Sequence, residues 1–347
     1  LAIALPVFAY AQPKSADAAK QAIDKAVANS QKKADKAASW TALFDAYLGA
    51  YDYPTANLIN NTSRTEVGVF LRQPILSTET RQLSDGEYLV DTYRDKELYY
   101  NAGQFLDFWI VTNPVVENAL DLSYDALKKA VQLGATSKDY TARGDKLHDR
   151  YFSEGISQYM IGNNAEAASL FDKAAAVSTD ILKKVDTVGL YYSGMTASLA
   201  GNAEEAISKF AKCIDLGYYS NGNIYSNLAD AYKAAGKAEE SKSALEKGFV
   251  AFPQNQAILV GLINLYIESG DDTNKLFDLL HTAQANEPGN ASLFYVEGDV
   301  HKKLGNKEKA IEYFQKSMDV DPKYVYGILN IGILYYDTAV EIQEKAS

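Results

Sequence analysis

The stretch that decides the fold is Ala291–Tyr324, ASLFYVEGDVHKKLGNKEKAIEYFQKSMDVDPKY. Phe294, Gly298 and His301 recur at steps of four and three residues, which places them on one face of a helix. Gly305-Asn306 ends that face, as residues tolerant of the left-handed region do at helix C-termini. A second helical face runs through Ala310, Phe314 and Ser317 and stops before Asp321-Pro322, because proline cannot continue a helix. Small residues at 298 and 310 let the two helices approach closely, and the ring of Phe314 fills the space beside them. A pair built this way has apolar side chains on two sides and needs neighbours on which to bury them.

The same register recurs on both sides. Gly155, Gly194, Ala229, Ile263, Gly298 and Gly332 follow one another at 39, 35, 34, 35 and 34 residues. Glycines come seven residues later at 162, 201, 236, 270 and 305, and Phe171, Phe210, Leu245, Leu279 and Phe314 come sixteen residues later. Pro253, Pro288 and Pro322 close three of the units. A period near 34 residues outweighs any local motif as evidence of architecture. The pattern resembles the tetratricopeptide repeat, with Leu228, Ala229, Tyr232, Leu245 and Pro253 filling its signature positions in 222–255. The resemblance covers 148–347, in units near 148, 187, 222, 256 and 291 and an incomplete one from 325. It implies an all-α fold, a right-handed α-solenoid of stacked helix–turn–helix repeats. Ile263 stands where the family has a small residue, so the unit at 256 is degenerate.

The first half has a different texture. Residues 12–36 read as an N-terminal helix, and 37–50 as another first helix, with Trp40, Phe44 and Tyr47 at repeat positions. Its partner is expected after Asn113-Pro114, a cap followed by proline at the first helical position, with Ser123, Leu127 and Ala130 facing inward and Gly134 closing it. The first repeat would then span 37–147, with an insertion at about 51–112. Within it, Glu87–Tyr93, Leu98–Tyr100 and Phe105–Thr112 predict a β-hairpin, and Arg64–Asp85 reads as loop with at most one further strand. Two roles stay open for the insertion, a partner-facing segment or a cap on the end of the array.

The chain opens LAIALPVFAYAQ, an apolar run ending in small Ala9 and Ala11, which reads as the remnant of a signal peptide over 1–11. A buried terminal helix or strand is the alternative. The run is well short of the ~20 residues that span a bilayer, so the expectation is an exported chain, periplasmic, envelope-associated or secreted, with no transmembrane segment after processing. Residues from Tyr335 onward read as a helix without a terminating Gly or Pro.

Among 347 residues, 45 acidic against 34 basic ones give a formal charge of −11, which disfavours nucleic acid as a partner. One cysteine, Cys213, excludes an intrachain disulfide framework, and three scattered histidines predict no metal. Cys213 and His301 fall at repeat positions that pack, so both are expected to be structural. Asn60, Asn61 and Asn290 head N-x-[ST] triplets, a weak pattern. No nucleophile elbow, phosphate loop, dinucleotide fingerprint or zinc-protease motif occurs. The expectation is therefore no catalysis and no cofactor.

The conspicuous residue is tyrosine, 25 in all. Tyr47, Tyr151, Tyr225, Tyr232, Tyr266 and Tyr335 fall at packing positions. Tyr51, Tyr53, Tyr88, Tyr93, Tyr99 and Tyr100 fall in the insertion, where they are expected to bear on function. The family resemblance implies a concave groove lined by first helices, here Phe152, Tyr159, Tyr191, Met195, Asp230, Lys233, Asn264, Tyr295, Asp299, Lys302 and Tyr336. The family's carboxylate clamp has no counterpart, because the required lysine is absent. An aromatic groove with interspersed Asp and Lys suits an extended peptide or a helix of a protein partner. The alternative is a glycan-binding helical-repeat module that stacks sugars on tyrosines and Trp109.

Overall fold

The computed structural model describes residues 12–269 and 274–346. The apolar run 1–11, Gly270 of the glycine series and the terminal Ser347 lie outside them. Among the described residues there are fifteen α-helices and four strands, and the chain divides into two compact units, Leu1–Asn202 and Ala203–Ser347.

The first unit begins with α1 (Ala16–Lys32), whose Ser15 Oγ accepts from the Ala18 amide at 3.0 Å, and α2 (Ala37–Asp52). The chain then forms α3 (Arg64–Leu71) and the strands β1 (Ser77–Leu83), β2 (Gly86–Thr92), β3 (Lys96–Tyr100) and β4 (Leu106–Val111). It returns to helix as α4 (Ala119–Gln132), α5 (Ser137–Met160), α6 (Asn164–Asp180) and α7 (Thr187–Leu199). The helices α2 and α4 lie against each other. Phe44, Leu48, Leu127, Leu147 and Tyr151 share one core cluster, against which Trp40 and Tyr47 pack. Ser123, Leu127 and Ala130 are fully buried, and Gly134 ends α4 at a φ of 85°.

Four expectations for this half need correction. The predicted hairpin is a four-stranded antiparallel meander, in the order β1-β2-β3-β4. The segment read as loop holds α3, capped reciprocally by Ser63 and Glu66, a Ser-x-x-Glu box present in the sequence. The helix after Asn113-Pro114 starts five residues later, at Ala119. Asn113 instead donates its amide to the Asp95 carbonyl, at 3.2 Å, and Val115 and Val116 pack beside Ala19, Ile23 and Ala50. Finally, α5 starts at Ser137, not near 148, because Thr136 and Asp139 form a capping box.

The insertion tyrosines also differ from expectation. Tyr88, Tyr93, Tyr99 and Tyr100 are between 0 and 5% exposed and form the cores on the two faces of the sheet. The ring of Tyr99 stacks on Phe108 at 4.3 Å. Its hydroxyl donates to Glu97 at 2.8 Å and accepts from the Arg81 guanidinium at 2.6 Å. Fully buried Asp91 receives two hydrogen bonds from Arg64, both at 2.7 Å, and one from Thr78 at 2.6 Å. Buried charge of this kind persists only where paired.

The second unit contains α8 (Ala203–Asp215), α9 (Asn223–Ala234), α10 (Ala238–Ala251), α11 (Gln256–Ser269), α12 (Asn274–Asn286), α13 (Ala291–Lys303), α14 (Lys307–Val320) and α15 (Tyr326–Ala346). The helix pairs starting at 223, 256 and 291 reproduce the register read from the sequence. A Cβ on Gly298 would meet the Phe314 ring at 2.6 Å, and one on Gly155 in the first unit would meet Phe171 at 2.9 Å. These close approaches are why the position is small. Gly162 and Gly305 turn the chain at φ of 84° and 78°, and the next amide reaches back to the carbonyl of residue 158 or 301, both at 2.9 Å.

Cys213 is fully buried and His301 is 5% exposed, as their repeat positions require. Tyr151 and Tyr266 are buried, but Tyr335, expected to pack, is 61% exposed. No later helix among the described residues covers its face of α15.

Candidate functional site

The residues expected to line a groove fall into two sets, one per unit. In the first unit, Phe152 is half-buried and packs on His148, Phe171 and Tyr192. Tyr191 stands edge-on to Tyr192 at 5.9 Å, so Tyr192 links the two predicted residues. Tyr159 and Met195 are half-buried. In the second unit, Asp230, Lys233 and Asn264 are exposed and Tyr336 is 70% exposed. The Lys303 ammonium reaches both Asn264, at 3.3 Å, and Asp299, at 3.4 Å. Asn330 accepts from Lys302 at 3.0 Å and donates to the Tyr295 hydroxyl at 3.0 Å. Tyr295 itself is half-buried among Phe314, Tyr324 and Tyr326, so it packs as much as it displays.

The structure also holds an enclosed site that no sequence motif assembles. In the first unit a cleft of about 560 Å³ opens between the end of α2, the C-terminal half of α5 and the strand β4. Clefts of roughly 300–1,000 Å³ are the usual size for small ligands. Leu58, Phe108, Trp109, Phe152, Ile156 and Met160 supply apolar wall, while Asn60, Asp107, Arg150, Ser153, Glu154 and Ser157 supply polar groups. Three local features place the chemistry. Asp52, 4% exposed, takes Arg150 at 2.7 Å and Lys146 at 2.9 Å, which locks α5 onto the end of α2. Tyr51 donates to Glu154 at 2.8 Å, and burial, reinforced by that carboxylate, holds the phenol well above its ordinary pKa, so it stays a donor. Opposite, Tyr99 pairs with Phe108 and Tyr100 with Leu106, so Asp107 is an extra residue in β4. Such a bulge re-aims a side chain. Here the Asp107 carboxylate accepts from the Tyr88 hydroxyl at 2.9 Å.

The three N-x-[ST] asparagines have structural roles or neighbours of their own. Asn60 donates to the Asp107 carbonyl, the Asn61 amide donates to the Leu106 carbonyl at 2.7 Å, and Asn290 caps α13 by accepting from Ser292. Among the described residues no group of three or more His, Cys, Asp and Glu is placed to hold a metal ion, and no helix is long and apolar enough to cross a membrane.

No curated protein matches the chain. Among solved structures, MamA is 18% identical at a TM-score of 0.36, covering 51% of this chain and 92% of its own. A TPR-repeat protein from Bacteroides fragilis NCTC 9343 is 16% identical at 0.34, covering 55% and 98%. YrrB is 17% identical at 0.33, covering 52% and 89%. At these scores the fold rests on the helix pairs themselves, and there the agreement is with one family: residues 169–324, from within α6 to just before α15, match the family model described as tetratricopeptide repeat.

Proposed function

We propose that this chain is a non-catalytic scaffold that binds a peptide or a helix of a protein partner along the first helices of its repeats. The observation that carries the reading is the character of those helices in the second unit. Their inner faces pack through small and aromatic residues, while Asp230, Lys233, Asn264 and Tyr336 stay at the surface as polar and aromatic contact points. Peptide grooves of this type combine aromatic anchors with polar registration. In the first unit Tyr159, Tyr191 and Met195 offer the equivalent surface. We take α2 and α4 as the helices of a degenerate first repeat, with α3 and the sheet inserted between them. The apolar start of the sequence supports work in the cell envelope or outside the cell.

The test is a selection of displayed peptides on the whole chain, followed by titration of the selected peptides against Lys233→Glu and Tyr336→Ala. Affinity should fall at least tenfold in one or both variants. Peptides that bind both variants as they bind the wild type would remove the groove. Recovery of the chain in a cytoplasmic fraction with residues 1–11 retained would remove the export part of the proposal.

A further inference from the structure

We propose that the cleft between α2, α5 and β4 binds a small organic cation, a primary amine or guanidine carried on a short apolar chain. The inference stands apart from the peptide-binding reading, because it concerns a free ligand in an enclosed cleft that shares Phe152 with the expected groove.

The charge pattern carries it. Asp52 is satisfied by Arg150 and Lys146, so the cation that faces the cleft from α5 is already matched. Glu154 and Asp107 are not matched in this way. Among the described residues, Glu154 accepts from the Tyr51 hydroxyl, at 2.8 Å, and the Gln158 amide, at 3.2 Å. The Asp107 carboxylate accepts from the Tyr88 hydroxyl, which Asp85 shares at 2.9 Å. Neutral donors thus hold both carboxylates in place, and among the described residues neither has a lysine or arginine partner. Two carboxylates lining one cleft, one from α5 and one from β4, without a cation of their own, favour a positive ligand.

The walls define the rest of that ligand. Phe108, Trp109 and Phe152 contribute aromatic surface, and Leu58, Ile156 and Met160 contribute aliphatic surface. A cation close to an aromatic face gains from the ring quadrupole, and more so when water is excluded. Amine or guanidine N–H groups would donate to Asp107 and Glu154, a stronger interaction than a neutral hydroxyl makes with the same carboxylates. A neutral sugar would leave both charges uncompensated. A diffuse attraction of amines to an acidic protein would be insensitive to these residues, which separates it from the site.

Isothermal titration of the full chain with cadaverine and with agmatine is the direct test, with 1,5-pentanediol as a neutral control of similar shape. Maltose and a capped lysine peptide complete the set. Saturable binding of an amine, no binding of the diol, and a loss of tenfold or more in Asp107→Asn or Glu154→Gln are expected. Tryptophan fluorescence gives a second readout: the amine should change it in the wild type and leave it unchanged in Trp109→Phe. No saturable binding of either amine at millimolar concentration overturns the proposal. So does equal binding of the diol, unchanged affinity in both carboxylate variants, or binding confined to maltose or to the lysine peptide.

Discussion

The sheet region of the first unit and the α13–α15 region of the second solve the same packing problem with opposite means. Around Phe314 the solution is geometric: a missing side chain at Gly298 lets a ring approach, and a hydrophobic contact does the rest. Around Asp91 it is electrostatic, with a buried carboxylate taken up by Arg64 and Thr78. The geometric solution repeats along the chain because each pair needs only its neighbours. The electrostatic one does not repeat, because its partners sit 27 and 13 residues apart and suit one place only. Regular arrays are therefore built from volume, and singular elements from charge.

Substitutions can break this contrast. The largest effect is expected from Phe314→Ala, which empties a fully buried site and should cost about 3–5 kcal/mol. Hydrogen exchange should speed up through α13, α14 and α15 and stay unchanged in β2 and β3. A rise of equal size in both regions would show that the two do not hold separately.

Arg64→Ala is the counterpart. It leaves Asp91 buried with only the Thr78 hydroxyl, and breaking such a pair costs about 3 kcal/mol or more. Exchange should now rise in β1 to β3 and not around Phe314. Urea denaturation followed by tryptophan fluorescence gives the free energy, since Trp109 packs on one face of the sheet.

Gly298→Ala is a smaller perturbation of the geometric kind. Its new methyl group would sit 2.6 Å from the Phe314 ring, and overpacking of this sort costs about 1–3 kcal/mol. The double variant Gly298→Ala/Phe314→Leu should recover part of that loss. Simple additivity of the two changes would show that the ring is not what meets the methyl group.

The smallest effect is also the one that depends on pH. His148 lies between Asp149, at 3.3 Å, and Asp186, at 2.8 Å, and these two carboxylates raise its pKa to about 9. Asp149, next in the chain, contributes most to the shift, but the shorter contact to Asp186, which also caps α7 through Gly189, is the one that ties α5 to α7. A raised folded-state pKa gives stability that is complete below the unfolded value near 6.5 and is lost as pH rises through about 9. His148→Gln should therefore cost about 1 kcal/mol at pH 6, and the difference from wild type should shrink by pH 10. A constant difference across that range would assign the effect to the stacking of His148 on Phe152.

The repeats were legible because their defining residues sit at fixed offsets. Gly298, Ala310 and Phe314 can be recognised without knowing what they touch. The helix starts at Ser63 and Thr136 are equally legible as capping boxes, although hydrophobic periodicity does not mark them. The sheet was only half legible. Its strands are rich in β-formers, but Ser77–Leu83 is exposed over much of its length and has no alternating apolar pattern to mark it. The tyrosine surplus misled for a related reason. A phenol can be buried if its hydroxyl finds a partner, and Glu97, Asp107 and Asp121 supply one to Tyr99, Tyr88 and Tyr151 from 2, 19 and 30 residues away. The cleft was legible only as single residues: Tyr51, Trp109 and Phe152 stand out in the sequence, but no local pattern joins them to Asp107 and Glu154.

The extra residue in β4 has a consequence for how such a cleft could arise or vanish. Leu106 packs on one face of the sheet and Phe108 on the other, so the strand would alternate normally without Asp107. A deletion of that single codon would heal the ladder and leave every other side chain of the strand on its present face. The carboxylate is thus a one-residue addition that the sheet tolerates without reorganisation.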